Sequence, residues 1–460
     1  MTAAEDNDDN IDTSDDDPEP EQQAGAEPQE QGGGWCDTLG GIPYPLEGDL
    51  TVVVPANVTE ISCPTPRTVR VAGGTLTMAV DGEAVVFSGV RFEVESAAGL
   101  VFSTDVPTEF TGINDLHANG GVFSVSEGGT AESNGRVTFR DNSIQGTEET
   151  PASNGAAVYN DGTVHLRGGA TFTGNFVKGG GAGGALWNGP SGRMVVGGAA
   201  TLDRNGGGRG GGLFNKGFVQ FDGAASFLHN EADGDGGGMF NDGGTVRFEG
   251  DATFSGNLAL AGSAFVNSAG GKMALHGDTS IVGNISQEEE SSGNEAGAVW
   301  NHADSVVFCT GRAEWRKNSG YQAGAMLNAG KVVFRAELSV KDNTAVMDGG
   351  GFINETGARI VFFRGAEFFN NVGTGYGGAI LNHGELDFDN NDHGGSAAAD
   401  DQEGEEEEGA GGSSFTLKFD GNYCGEQECQ DIQNKDGSKI VGLHQHVPDL
   451  CDIGTQEIMT

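Results

Sequence analysis

Polar and apolar positions alternate over short stretches along most of this chain. In TVRFEG the apolar side chains of Val246 and Phe248 fall on one face, and in KVVFRA those of Val332 and Phe334 do the same. A period of two residues is typical of a β-strand with one buried face. No window has the periodicity of a helix longer than one turn. The pattern therefore predicts an all-β protein.

A motif of small residues, two apolar residues and an asparagine recurs along the chain. It reads GAAVYN at its first clear occurrence and GGAILN at its last. Successive occurrences are 26 to 28 residues apart, except for one interval of 34 that contains the polar sequence QEEESSGN. We expect these extra residues in an outward loop. The closing asparagines are Asn160, Asn188, Asn215, Asn241, Asn267, Asn301, Asn328, Asn354 and Asn382.

A second motif, an aromatic or aliphatic residue followed three positions later by asparagine, lies about sixteen residues after the asparagines from Asn160 to Asn354, and we call it FxxN after its commonest first residue. It reads FTGN at 172–175, FSGN at 254–257 and FFNN at 368–371. The repeat extends backward through GGVFS and FRDN, more weakly through GLVFS and FTGIN, and forward through FDNN at 388–391 and FDGN at 419–422. Residues 73 to 422 are therefore predicted to form one array.

Each repeat contains three short strands joined by Gly and Asn turns, and it cannot bury its apolar face alone. Successive repeats must therefore stack, each strand lying parallel to its equivalent in the next coil about 4.8 Å away. Phenylalanines then form a core column, and the asparagines named above form a ladder of amides hydrogen-bonded from coil to coil. Asparagine also tolerates the left-handed backbone of a sharp turn. We predict a right-handed parallel β-helix, a solenoid of about eleven coils.

The paired motifs resemble the GGAI and FxxN repeats of polymorphic outer membrane proteins, which are similar to other β-helix proteins of the pectin-lyase-like class. GGAI stands intact at Gly377–Ile380, and FxxN at FRDN, FTGN, FLHN, FSGN, FFNN, FDNN and FDGN. The resemblance covers about three quarters of the chain. It implies surface display and adhesion, although the motifs specify fold more than function.

Composition and charge divide the chain into five segments. Glycine accounts for 81 of 460 residues, and 26 phenylalanines supply surface for a core. Acidic residues are concentrated in 1–31, which contain no Lys or Arg, and in 392–408. We therefore predict a disordered acidic tail at 1–34, an N-terminal cap at 35–72, the β-helix at 73–391 and an acidic disordered insertion at 392–412. The last coil and a cysteine-bearing cap follow at 413–460.

The net charge of −44 disfavours binding to nucleic acid or to anionic lipid. No apolar run has the length of a membrane span, and the start MTAAEDNDDN lacks the basic and apolar regions of a signal peptide.

Cysteines cluster at the two ends of the predicted solenoid. Cys36, Cys63, Cys424, Cys429 and Cys451 are candidate disulfide cysteines, and disulfides would require an oxidising compartment; reduced thiols are the alternative. The three late cysteines allow one local bridge and leave one over. Cys309, alone in the strand VVFC, is predicted to be a small core residue.

Titratable residues do not suggest a catalytic or metal site. Asp203, Asp222, Asp251 and Asp278 occupy similar turns but do not recur in the other coils, so we expect solubilising turn residues rather than a gathered active site. His276 with Asp278, and the pair His444 and His446, lack a further placed ligand. We predict no catalytic residues, metal or cofactor.

Two kinds of surface residue suggest binding or modification. Arg193, Lys331 and Arg359 each open the second strand of a coil, where they either form a basic stripe for an anionic glycan or guard the exposed sheet as single charges. Sequons for N-glycosylation occur at Asn57, Asn284 and Asn354. The last two are expected in asparagine ladders, so Asn57 is the candidate glycan site.

These observations favour a non-enzymatic extracellular or cell-surface protein, monomeric and used for adhesion or for binding polysaccharide or cell-surface glycan along the solenoid face. One alternative is a carbohydrate-active lyase, hydrolase or epimerase of the pectin-lyase-like class. The other is a structural spacer.

Overall fold

The computed structural model describes residues 34–114, 116–146, 153–287, 296–388, 417–424, 432–435, 438–441 and 458–459. Residues 1–33 of the predicted tail, the whole predicted insertion and most of QEEESSGN lie outside these ranges. The described part contains one helix, Gly34–Gly40, followed by strands and turns.

The strands form a parallel β-helix of about twelve turns, which confirms the predicted all-β solenoid. Each strand pairs in parallel with the equivalent strand one turn later. Ala225–Leu228, for example, pairs with Ala252–Ser255 so that Phe227 lies opposite Phe254. This register follows from the repeat, because a shift of one residue would turn every apolar side chain outward.

Sheet 1 contains fifteen strands and is the longest continuous stack in the described residues. Its strands are Leu50–Val54, Gly74–Val80, Ala98–Phe102, Thr130–Ser133, Thr163–Leu166, Arg193–Val196, Phe218–Phe221, Thr245–Phe248, Lys272–Leu275, Val306–Cys309, Lys331–Phe334, Arg359–Phe362, Glu385–Phe388, Lys439–Val441 and Ile458–Met459.

Sheet 2 begins with two long strands, Glu60–Val71 and Val85–Val94, and then divides into two columns. The ladder column contains the first motif: Phe123–Val125, Val158–Asn160, Leu186–Asn188, Leu213–Asn215, Met239–Asp242, Phe265–Ser268, Val299–Asn301, Met326–Asn328, Phe352–Asn354, Ile380–Asn382 and Ile432–Asn434. The FxxN column contains the second: Thr108–Thr111, Val137–Arg140, Ala170–Thr173, Ala200–Asp203, Ala225–Leu228, Ala252–Ser255, Thr279–Val282, Ala313–Arg316, Leu338–Lys341, Ala366–Phe369 and Leu417–Asp420.

Sheet 3 adds a fourth strand to each central coil, whereas the sequence indicated three. Its members contain two or three residues, and one of them is simply Gly206–Gly207, so no alternation marks them in the sequence. They are Ser143–Gln145, Phe176–Lys178, Gly206–Gly207, Glu231–Ala232, Leu258–Ala259, Ile285–Ser286, Ser319–Gly320, Thr344–Ala345, Val372–Gly373 and Tyr423–Cys424.

Two assigned motif copies belong to sheet 1 instead of sheet 2. Phe102 of GLVFS pairs with Met78, and Phe388 of FDNN pairs with Phe362. Both were assigned from a single aromatic residue, which occurs in every column of the solenoid. Because Phe388 ends a sheet 1 strand, the FxxN strand of that coil is Leu417–Asp420, after the acidic segment.

Aromatic side chains stack along the interior, as expected from columns of equivalent residues. Phe139 lies 5.2 Å from Phe110 and 4.9 Å from Phe172, measured between ring centroids. Phe227 and Phe254 are 4.8 Å apart and nearly parallel. All five rings are buried. The core is therefore continuous from coil to coil.

Buried asparagines form two files of hydrogen bonds beside this core. In the ladder column, each Nδ2 from Asn160 onward donates to Oδ1 of the next asparagine at 2.7–2.9 Å, and the file continues from Asn382 to Asn434. In the FxxN column a second file runs from Asn142 to Asn422 with distances of 2.9–3.0 Å.

At the corner after each FxxN strand, the residue with left-handed backbone is the one before the asparagine of the FxxN motif, and not that asparagine. Gly174 and Gly256 have φ of 65°, and Lys317 has φ of 56° at the equivalent position. This corner explains the frequent glycine in FxGN, because glycine adopts positive φ without a Cβ clash.

We expect the acidic segment to be dispensable for folding. In the preceding coil residues 363–365 join sheet 1 to the FxxN column, whereas 389–416 make this connection between Phe388 and Leu417. Deleting 392–412 leaves seven of its 28 residues. This shortens the connecting loop fourfold. The shorter loop loses less entropy on closure, so the free energy of unfolding should increase by about 1 kcal/mol.

Urea unfolding of the full chain and the deletion variant measures this difference. Deleting the same number of residues inside a coil, 225–245, is the control and should abolish the folded state. A loss above about 2 kcal/mol for the 392–412 deletion would mean that the segment stabilises the array.

Candidate functional site

The outward face of the FxxN column carries polar side chains in every central coil. The second residue of each strand points outward, and register aligns these residues along the axis. The first five are hydroxyl residues and the remainder are mostly charged: Thr171, Thr201, Ser226, Thr253, Ser280, Glu314, Ser339, Glu367 and Lys418. This face therefore presents about one polar group per coil.

A half-open groove of about 690 Å³ runs over the C-terminal part of this face. We call it the FxxN groove. Its floor is formed by the outward strand residues from Thr253 to Lys418, and its wall by the turns that precede those strands. The lining residues are Asp251, Thr253, Asp278, Thr279, Ser280, Arg312, Ala313, Glu314, Glu337, Leu338, Ser339, Lys341, Arg364, Gly365, Glu367 and Lys418.

Backbone-to-carboxylate hydrogen bonds hold the wall together across coils. Asp251 Oδ1 accepts from the backbone N–H of Asp278 at 2.9 Å, and Asp278 Oδ1 accepts from the N–H of Arg312 at 3.0 Å. Short polar side chains at turns commonly bond to nearby backbone in this way. The carboxylates of Asp251 and Asp278 are thus fixed by the next coil while remaining exposed to solvent.

Two of the five acidic side chains that line the groove form ion pairs with cations of the groove. Glu367 lies between two lysines, at 2.9 Å from Lys418 Nζ and 3.6 Å from Lys341 Nζ. The hydrogen bond from Lys418 is the main cause that lowers the pKa of the Glu367 carboxyl, and partial burial opposes it. The same contact raises the pKa of Lys418. Arg312 pairs similarly with Glu337 at 3.7 Å.

One floor hydroxyl has no hydrogen bond within the described part of the chain. Ser339 Oγ lies between the positions of Glu314 and Glu367 and is itself inaccessible to solvent. A buried hydroxyl without a partner is uncommon in a folded protein. Because Ser339 Oγ is covered by its neighbours, it belongs to the packing beneath the groove and not to the surface that a ligand would contact.

The structure brings together acids that the sequence did not group. We expected Asp203, Asp222, Asp251 and Asp278 to be turn residues that do not gather in an active site; the structure places the last two in one groove with Glu314, Glu337 and Glu367. Some acids of the groove lie in the FxxN strands and others lie in the turns before those strands. They therefore occupy different positions of the repeat, and comparison of equivalent positions does not group them. Asp203 instead contacts His229 Nδ1 at 3.1 Å, and Asp222 accepts from Gln220.

The nine asparagines of the first motif lie away from the groove. They are fully buried, and their amides bond to one another and to backbone carbonyls such as that of Gly192. Their position assigns them to the interior of the ladder column, where they have no access to a ligand.

The cysteines have three different environments. Cys36 and Cys63 form a disulfide with a Cα–Cα distance of 5.3 Å. Cys424 is also disulfide-bonded, whereas Cys429 and Cys451 lie outside the described residues. Cys309 is a free thiol in the core, where burial raises its pKa to about 12. It is therefore a small apolar residue without thiolate chemistry.

The residues considered for metal or glycan binding do not gather. His276 Nδ1 lies 3.3 Å from Thr310 Oγ1, and no group of three His, Cys, Asp or Glu suited to a metal occurs in the described ranges. His444 and His446 lie outside them. Lys331 and Arg359 are adjacent in sheet 1, but Arg359 pairs with Glu385 at 3.0 Å.

Arg193 lies in another part of sheet 1, over the ring of Phe218 at 4.4 Å. The three cations therefore do not form a basic stripe.

The one helix of the described residues, Gly34–Gly40, lacks the length and apolar character needed to cross a membrane. The sequence matches no protein-family model, no curated protein and no solved structure.

Proposed function

We propose that this chain is a non-enzymatic extracellular or cell-surface β-helix that binds a linear polysaccharide in the FxxN groove. The observation that carries the proposal is the alignment of the outward polar residues Thr253, Ser280 and Glu314 in three successive coils. Coils about 4.8 Å apart repeat on a scale comparable with a sugar unit. A linear glycan, which repeats its hydroxyl groups, can therefore bond to several coils at once.

The groove, with four cations and five carboxylates, is closer to neutral than the chain as a whole. The whole chain has only 24 Lys and Arg against 68 Asp and Glu. Four of these cations, Arg312, Lys341, Arg364 and Lys418, line the groove. An acidic polysaccharide would be repelled by most of this surface, and the local cations reduce that repulsion here.

The repeat motifs add support at the level of family resemblance. GGAI and FxxN repeats are similar to those of polymorphic outer membrane proteins, for which the resemblance implies display and adhesion at a surface. The disulfide between Cys36 and Cys63 is consistent with an oxidising compartment. Both observations favour binding outside the cell.

A carbohydrate-active enzyme is the second candidate because five carboxylates line the groove. Glycoside hydrolysis requires one carboxyl whose raised pKa lets it donate a proton. Glu367 has the opposite shift, and its two lysine partners keep it ionised. Binding is therefore the better proposal. Release of products from a panel of uronate polysaccharides would favour the enzyme, and absence of all glycan binding would favour a spacer.

A bulky residue in the groove should weaken binding while leaving the fold intact. Thr253→Tyr fills the groove floor, and we expect at least a tenfold increase in Kd, or about 1.4 kcal/mol. Thr245→Tyr is the matched control, because Thr245 is an outward threonine of similar exposure in the same coil on sheet 1.

Binding is measured by titration calorimetry with the polysaccharide that gives the strongest signal in a glycan array. Equal weakening by Thr253→Tyr and Thr245→Tyr would contradict the groove assignment.

A further inference from the structure

Three sequons for N-glycosylation occur in the chain, and the asparagines of two of them are buried whereas the third is exposed. Asn284 and Asn354 are fully buried members of the asparagine files. The Nδ2 atom of Asn284, which a glycan would modify, donates to Asn318 Oδ1 and to the backbone oxygen of Phe254, both at 3.0 Å. Asn354 Nδ2 donates to Asn382 Oδ1 at 2.8 Å. A glycan at either position would destroy the file.

Asn57 has the surroundings that an oligosaccharide requires. It lies in an exposed turn closed by a hydrogen bond from Val58 N–H to the Pro55 carbonyl at 2.9 Å, and Thr59 of its sequon is also exposed. Glycan acceptors are characteristically found in such surface loops.

The turn around Asn57 follows the first strand of sheet 1. It joins Leu50–Val54 to Glu60–Val71. Among the described strands, Leu50–Val54 pairs only with Gly74–Val80, so its other edge has no partner. Val53 in this edge strand is 49% exposed. An exposed apolar edge is a template for pairing with a second chain.

The N-terminal helix covers a different part of the first coil. Helix Gly34–Gly40 is linked to Glu60–Val71 by the disulfide from Cys36 to Cys63, and Trp35 packs against the core. The helix therefore lies against sheet 2. The edge that has no partner among the described strands belongs to sheet 1, and Asn57 is at the corner between the two sheets.

We propose that Asn57 carries an N-linked glycan and that this glycan shields the edge of Leu50–Val54 from pairing with another chain. A large hydrated oligosaccharide beside the strand end excludes a second backbone by its volume. The proposal rests on the extracellular location given under the proposed function, but it is independent of what the FxxN groove binds.

Occupancy is tested by secreting the full chain from glycosylating eukaryotic cells and mapping its peptides by mass spectrometry. The expected result is one N-glycan, at Asn57, which is absent from Asn57→Gln. Thr59→Ala is the matched control, because it retains Asn57 but removes the acceptor sequence and should also lack the glycan. A secreted, folded protein without sugar at Asn57, or with sugar at Asn284 or Asn354, would overturn the proposal.

Shielding is tested on the same preparation by removing the glycan enzymatically and measuring self-association by sedimentation. We expect a several-fold larger oligomer fraction after removal. The same treatment of a Val53→Lys variant should leave a monomer, because a lysine on an edge strand prevents pairing. Unchanged association of the treated wild-type chain would overturn the shielding role. Failure of polysaccharide binding would leave both outcomes unaffected.

Discussion

Replacing Phe254 by alanine should lower the free energy of unfolding by about 3–5 kcal/mol, as for deletion of a fully buried ring. The ring is 0% exposed and stacks on Phe227 at 4.8 Å. It also contacts Phe248 at 5.9 Å and Phe265 at 5.3 Å, so it joins the FxxN column to its neighbours on both sides. Adjacent coils are held by paired strands and cannot collapse into the cavity.

Urea unfolding followed by circular dichroism measures this loss. Phe176→Ala is the matched control, since the same substitution removes a side chain that is 41% exposed on sheet 3. We expect the control to lose less than about 1 kcal/mol. Similar losses for the two variants would mean that Phe254 does not lie in a packed core.

Replacing Asn257 by alanine should cost about 3–6 kcal/mol, although the side chain is polar. Its Nδ2 donates to the Phe227 carbonyl and to Asn284 Oδ1, both at 2.9 Å. Its Oδ1 accepts from the backbone N–H and from Nδ2 of Asn230, at 2.9 and 3.0 Å. Alanine leaves these buried partners without hydrogen bonds, and each unsatisfied group costs about 1–3 kcal/mol before neighbouring groups relax.

The control for this prediction is Asn57→Ala in protein produced without glycosylation. Asn57 is exposed in a turn, so we expect a change within about 0.5 kcal/mol. If Asn257→Ala also changed stability by less than about 1 kcal/mol, the file of amides would contribute little to the solenoid.

The solenoid could be predicted from the sequence because the same residue types recur at the same positions of each coil, and few other residues could replace them there. Phenylalanine recurs at positions such as Phe172, Phe227 and Phe254, in a column where every coil places an apolar side chain in the interior. Asparagine recurs where one side chain must both donate and accept along the axis. Two such columns fix both the strand register and the stacking direction.

Other features were not predictable because no residue type marks them. Sheet 3 uses backbone pairing in strands as short as Gly206–Gly207, which leave no side-chain pattern. The first strand, Leu50–Val54, lies before the recognisable motifs, within the predicted cap.

The FxxN groove also could not be predicted from the sequence. It joins Asp251 and Asp278 in turns to Glu314 and Glu367 in strands. Their proximity depends on the exact path of each corner, and not on the repeat period.

Cysteine cross-linking tests most directly whether successive coils lie in the stated register. Thr253 and Ser280 are opposite each other in neighbouring strands, with an expected Cα separation of about 4.8 Å that a disulfide can span. The account predicts that the Thr253→Cys/Ser280→Cys double variant forms this disulfide in the folded chain. Thr253→Cys/Val282→Cys, displaced along the strand to about 8 Å, should not. Cross-linking of the displaced pair but not of the aligned pair would contradict the stacked register.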